Sequence, residues 1–110
     1  MNKNLVSTIF EIPGYNVTES LGLCRGINVR SRSIVGNLGA SLQTLVGGNI
    51  TIYRKLCEES RELAFEDMIK HGEEMGADGI IGVRYESNEL GQGLSEILCY
   101  GTAVKLEKKK

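Results

Sequence analysis

The sequence predicts an α+β fold, a mainly antiparallel sheet with one long and one short helix packed on one face. Three stretches predict it. YNVTESLGLCRGINVRS alternates with period 2, ITIYRKLCEESRELAFEDMIKHGEEM reads as one long helix, and GIIGVRYE–SNELGQG–LSEILCYGTAVKLE reads as a hairpin. Strands divided by a helical block suit helices segregated to one face of an antiparallel sheet. A chain of 110 residues suits a single domain, 1–110.

Ser7 to Glu11 reads as a short strand that Pro13-Gly14 stops with turn chemistry. In the next strand Tyr15, Val17, Leu21, Leu23, Ile27 and Val29 share a mostly apolar face, and Asn16, Thr18, Gly22, Cys24, Gly26 and Asn28 share a small or polar one. Gly22 and Gly26 suggest a bend or bulge. Residues 33–48 give a short helix with Ile34, Leu38, Leu42 and Leu45 at helical spacing, and Gly36 and Gly39 imply close packing. Residues 50–75 carry no proline, and Gly76 is placed to stop them. As a helix they would run about 39 Å. Tyr53, Cys57, Ser60, Ala64, Met68, His71 and Met75 form one stripe, and Ile52, Leu56, Leu63, Phe65 and Ile69 widen the apolar arc.

In the last strand Ile97, Cys99, Gly101 and Ala103 make a small face. Together with Gly82 it is expected to let the long helix lie close to the sheet, while Gly79 turns the chain into its strand. The opposite sheet face, with Val17, Leu21, Leu23, Ile27, Leu98, Tyr100 and Val104, has no spare element to cover it. An uncovered apolar face marks an association surface, so a homo-oligomer is expected.

Thirteen basic and 14 acidic residues leave a formal charge of −1, against a general nucleic-acid binder. No segment reaches the roughly 18 apolar residues of a membrane span, so no membrane partner is expected. An odd count of three cysteines, with no framework spacing, indicates a reducing, cytoplasmic compartment. Lys108 to Lys110 read as a solvated tail.

The stretches IPGYNVTESLGLCRGINVRSRS, LVGGNITIY, MIKHGEEMGADGIIGVRYES and SEILCYGTAV cover nearly the whole chain. In that order they resemble the YbjQ-like family of bacterial and archaeal proteins. The resemblance implies a small α+β subunit, a ring-like homopentamer and a heavy-metal-binding label; it implies no catalytic activity.

Heavy metals favour thiolates and imidazoles. The chain offers Cys24, Cys57, Cys99 and the single His71, with no CxxC and no HxxxH. Cys57 and His71 would lie about 21 Å apart on one helix, too far to share an ion. Cys24 and Cys99, among small residues on strands that could be neighbours, are the metal candidates, for a soft or borderline ion. Each also reads as an ordinary small buried residue. His71, the only histidine, reads as a partly exposed helix residue rather than a catalytic base. Glu86 and Glu96 flank the hairpin, near each other or near Arg84 across the strands, where a cross-strand ion pair or a solvated rim outweighs an acid–base pair. Arg25, Arg30 and Arg32 form a basic run after Cys24 that admits anion or partner binding, with surface solubility as the default. GNLGAS and LVGGNI lack the P-loop lysine pattern.

An enzyme is the least favoured class. The leading expectation is a non-enzymatic oligomer that binds a heavy metal. The alternative is a small-molecule-binding or scaffolding ring with its site between subunits.

Overall fold

Strand β1 (Tyr15–Ser31), helix α1 (Thr51–Glu74), strand β2 (Gly79–Gly91) and strand β3 (Leu94–Lys108) follow one another along the chain. A short 3-10 turn at Lys3–Leu5 precedes them. The structure, a computed structural model, describes residues 1–31, 51–91 and 94–110, without the side chains of Ser31 and residues 51–53. The short helix expected at 33–48, and Arg32 of the basic run, lie outside the described residues.

The three strands form an antiparallel sheet in the order β1-β3-β2. β3 is central because both of its neighbours pair with it over most of its length, Tyr15↔Lys108 to Ser31↔Leu94 on one side and Gly79↔Val104 to Gly91↔Leu94 on the other. The α+β class and the hairpin are as the sequence predicts. The turn is not: β2 continues through Ser87–Gly91, because Ser87, Asn88 and Glu89 keep their ladder partners Ile97, Glu96 and Ser95. Nor is there a strand at Ser7–Glu11. Val6 makes a single parallel bridge to Ile80, and the chain then bends across the edge of β2. Ser7 donates its N–H to the Ile80 carbonyl, and Gly82 and Val83 donate theirs to Ile9 and Ser7.

Helix α1 lies over the face that carries Cys24, Gly26, Cys99, Gly101 and Ala103, and buries Ala64, Met68 and Ile69 against it. The close approach of helix to sheet occurs at Gly26. A Cβ there would collide with the Ala64 carbonyl oxygen and the Met68 nitrogen. The expected agents of that approach, Gly82 and Gly101, serve other neighbours. A Cβ at Gly82 would meet the Phe10 ring at 2.8 Å, and one at Gly101 would meet the Ile80 side chain at 2.7 Å and the Ile81 oxygen at 2.9 Å. Gly82 also sits at φ +63, where the register of β2 slips.

Gly76 ends α1 as expected. At φ +84 it allows Ala77 to donate to the Gly72 carbonyl and itself to donate to Glu73, which satisfies carbonyls of the last turn. The N-terminal segment covers the flank of α1. The Met1 amino group meets Glu73 at 2.6 Å, and Lys3 lies 5.7 Å from the centre of the Phe65 ring. This covers the Phe65 part of the broad apolar arc on α1, whereas Leu63 stays exposed.

Two register shifts in β1, between Val17 and Glu19 and between Ser20 and Gly22, break its strict alternation. Leu21, expected on the outer face, is the extra residue of the second shift and packs against the core. Gly22 takes φ +106 beside it. Val104 also departs from expectation, being fully buried. The N-terminal segment is the cover that the sequence reading did not foresee. Leu5 lies against Gly79, the register partner of Val104, and Ile12 is itself buried.

Candidate functional site

Cys24 pairs with Gly101 in the β1–β3 ladder, and Gly26 pairs with Cys99. The two cysteines are therefore diagonal neighbours on the face beneath α1. Both are free thiols with no exposed surface. From the helix above, Met68 contributes a third sulfur, and the Cys99 thiol donates to its Sδ at 3.6 Å. Tyr85 stands directly opposite Cys99 on β2. Burial, which disfavours a charged thiolate, pushes the Cys99 thiol up to about 11 and the Cys24 thiol in the same direction. Burial, followed by the proximity of Cys99, pushes Tyr85 up to about 12.

This donor set can be tested against metal chemistry. Two thiols and a thioether match a soft ion of low coordination number. They do not match a four-coordinate zinc centre, which needs four ligands of Cys, His or carboxylate type. Among the described residues no three His, Cys, Asp or Glu side chains converge on one point. A soft ion at Cys24 and Cys99 would have to displace the protons that burial holds there, so its uptake would release protons.

The other sulfur and nitrogen donors are engaged elsewhere or apart. Cys57 is exposed on α1, at the rim of a cleft of about 220 Å³ that it shares with Asn28, Ser60 and Ser87. His71 does more than sit on the helix surface. It is half-buried, and its Nδ1 accepts the N–H of Arg25 at 3.0 Å. One turn earlier, Asp67 Oδ2 accepts the N–H of Ile27 at 3.2 Å. These N–H groups lie on the edge of β1 that no other described strand pairs, so α1 seals that edge with side chains. With Nδ1 accepting, the neutral ring carries its proton on Nε2, and neither nitrogen is left as a metal donor.

The remaining charged candidates hold the structure together. Arg30 bonds the buried Ser60 hydroxyl and pairs with Glu59 at 3.0 Å. Arg84 donates to the Thr8 carbonyl at 2.8 Å and lies 5.9 Å from the centre of the Phe10 ring, which pins the N-terminal segment. It makes no pair with Glu86 or Glu96. Glu86 instead accepts from the Tyr100 hydroxyl at 3.1 Å.

On the outer sheet face Val17, Leu23, Ile27 and Val29 are exposed, Leu23 at 59%. Leu98 and Tyr100 beside them are partly buried. Sequence reasoning placed Cys24 and Cys99 among small residues on strands that prove to be neighbours, and Val17, Leu23 and Ile27 on a face that proves exposed. It placed Met68 on the correct helical stripe without linking it to Cys99, since no spacing rule connects a helix to the strand beneath it. It missed the roles of Asp67 and His71 because an unpaired strand edge has no local signature.

Residues 4–107 match the model of a family described as "Putative heavy-metal-binding", the YbjQ family. A UPF0145 protein of Chromobacterium violaceum is 56% identical over 103 residues, covering 94% of this chain and 88% of its own length. One from Burkholderia thailandensis is 54% identical over 101 residues, 92% of this chain and 91% of its own. Among solved structures, a DUF74-family protein of unknown function from Pediococcus pentosaceus superposes with a TM-score of 0.59. It is 17% identical and covers 93% of this chain and 96% of that one, which supports the fold. With matches of this extent, the chain belongs to the YbjQ-like family, UPF0145.

Proposed function

We propose that this protein is the subunit of a non-enzymatic homo-oligomer that carries a soft metal ion. The observation that carries the assembly is the outer sheet face. Val17, Leu23, Ile27 and Val29 stand exposed in one row along β1, and α1 lies on the other side of the sheet. A second copy of the chain is the partner that this reading supplies, because burying such a row removes apolar surface from water on both sides at once. Five copies in a ring is the arrangement that the family resemblance implies, and a cytoplasmic setting suits three free thiols.

The metal part of the reading rests on the diagonal thiols Cys24 and Cys99, the Met68 thioether beside them, and the family description. Its test is a titration with Cu(I) held against a colorimetric chelator. One ion bound per chain, lost in a Cys24→Ala/Cys99→Ala variant, is expected. Binding that survives in that variant, or no competition with the chelator by the reduced protein, would refute the site while leaving the assembly untouched. The alternative, a small molecule held between subunits, would appear as a copurified mass on the intact oligomer.

A further inference from the structure

We propose that the cleft between β1 and α1 binds a small zwitterion of the α-amino-acid class. The proposal goes beyond the assembly and metal readings and depends on neither. The cleft has a volume of about 270 Å³ and is lined by Arg25, Ile27, Asp67, Lys70, His71 and Glu74. That is room enough for an amino acid and too little for a nucleotide.

The lining is balanced in charge. Arg25 and Lys70 supply two cations and Asp67 and Glu74 two carboxylates, and His71 Nδ1 is engaged by its backbone bond. Among the described residues Arg25, Lys70 and Glu74 form no ion pair with one another or with any other side chain. These charges therefore remain available to a ligand.

Two of the wall groups are held in place by the strand they cap. His71 spends Nδ1 on the Arg25 N–H, which leaves Nε2–H as its remaining donor. Asp67 spends Oδ2 on the Ile27 N–H, which leaves Oδ1 as an acceptor. A group fixed before binding loses little freedom when the ligand arrives.

The charge balance selects the ligand. A bare anion would gain from Arg25, Lys70 and the His71 donor but be opposed by Asp67 and Glu74. A bare cation meets the reverse. A molecule with a carboxylate and an ammonium group satisfies both sets with charge-assisted hydrogen bonds.

The test compares L-alanine with propionate, which lacks the amino group, and ethylamine, which lacks the carboxylate. Each is titrated into the protein in whatever assembly it adopts, while the His71 ring nitrogens and the Arg25 and Ile27 amides are followed by NMR. L-alanine is expected to shift these signals saturably, with propionate and ethylamine each about tenfold weaker or more. Arg25→Gln and Glu74→Gln, both at exposed positions, are expected to weaken L-alanine by about the same factor and leave the other signals in place. Propionate or ethylamine binding as tightly as L-alanine would overturn the zwitterion assignment. Failure of all three probes to move these signals through the tens of millimolar range would overturn the site.

Discussion

Gly26 is the single residue on which the packing of helix against sheet depends most. Its missing side chain admits the backbone of α1 at Ala64 and Met68, and a backbone cannot swing aside as a side chain can. Gly26→Ala is therefore expected to destabilise the fold by about 3 kcal/mol, the upper end for overpacking, read from the midpoint of urea unfolding. The sequence marked Gly26 as unusual but assigned the close approach to Gly82 and Gly101. Composition could not separate them, because a small residue facing a helix and a small residue facing a neighbouring strand look alike until the register is known.

The buried thiols make a second prediction at this scale. Cys99 holds its proton up to about 11 in the folded chain against an ordinary value of 9.0. Below pH 9 the proton is bound in both states and the stability associated with it is intact. As the pH rises through 9 to 11 the unfolded chain releases the proton first, so that stability is lost. Tyr85, moved from 10.0 to about 12, adds to the same loss one unit higher. Unfolding midpoints measured from pH 8 to 11 should fall progressively. At pH 8 iodoacetamide should label Cys57 alone, since it is exposed while Cys24 and Cys99 are buried. Labelling of all three at equal rates would contradict the burial of the pair.

Among the elements, α1 was the most legible. Its predicted limits of 50–75 agree with Thr51–Glu74 to within a residue, because apolar spacing and a stop glycine are local properties. β1 and β3 were legible for the same reason, from alternation. The outer half of β2 was not, since SNELGQG carries turn chemistry and only pairing with β3 draws it into the ladder. The N-terminal segment was misread in the opposite sense. Its residues suit a strand, yet Arg84 and Phe10 fold it across the edge of β2.

The edge of β1 shows how one element protects another. His71 and Asp67 sit one turn apart on α1 and cap N–H groups two residues apart on β1. Removing the acceptor in His71→Leu is expected to cost about 1 kcal/mol. In the same variant hydrogen exchange at the Arg25 amide should accelerate while the Cys24 amide, in the β1–β3 ladder, stays protected. Equal acceleration at both would mean that His71 only supports the packing of the helix.

For the molecule as a whole, shape and surface point the same way. It extends 59 × 26 × 18 Å, with a radius of gyration of 17.4 Å, against about 13 Å for a compact domain of this length. From Arg84 onward the described residues of β2 are exposed, because α1 packs mainly over β1 and β3 and leaves the β2 side of the sheet largely uncovered. An isolated chain of this form leaves an apolar row on β1 in water. The sequence disclosed that row, with two errors, Leu21 and Val104, that a bulge and the N-terminal cover explain. It could not disclose the partner, because a sheet face that meets a second copy reads the same as one that meets another domain.

Leu23→Lys with Val29→Lys, at two exposed positions of the row, should dissociate the assembly while leaving the fold's circular dichroism unchanged. The most direct measurement is sedimentation equilibrium of the unmodified protein at micromolar concentration. A mass that is an integral multiple of 12.0 kDa, reduced to one chain in the double-lysine variant, is expected. A mass of 12.0 kDa for the unmodified protein would contradict self-association through the outer face.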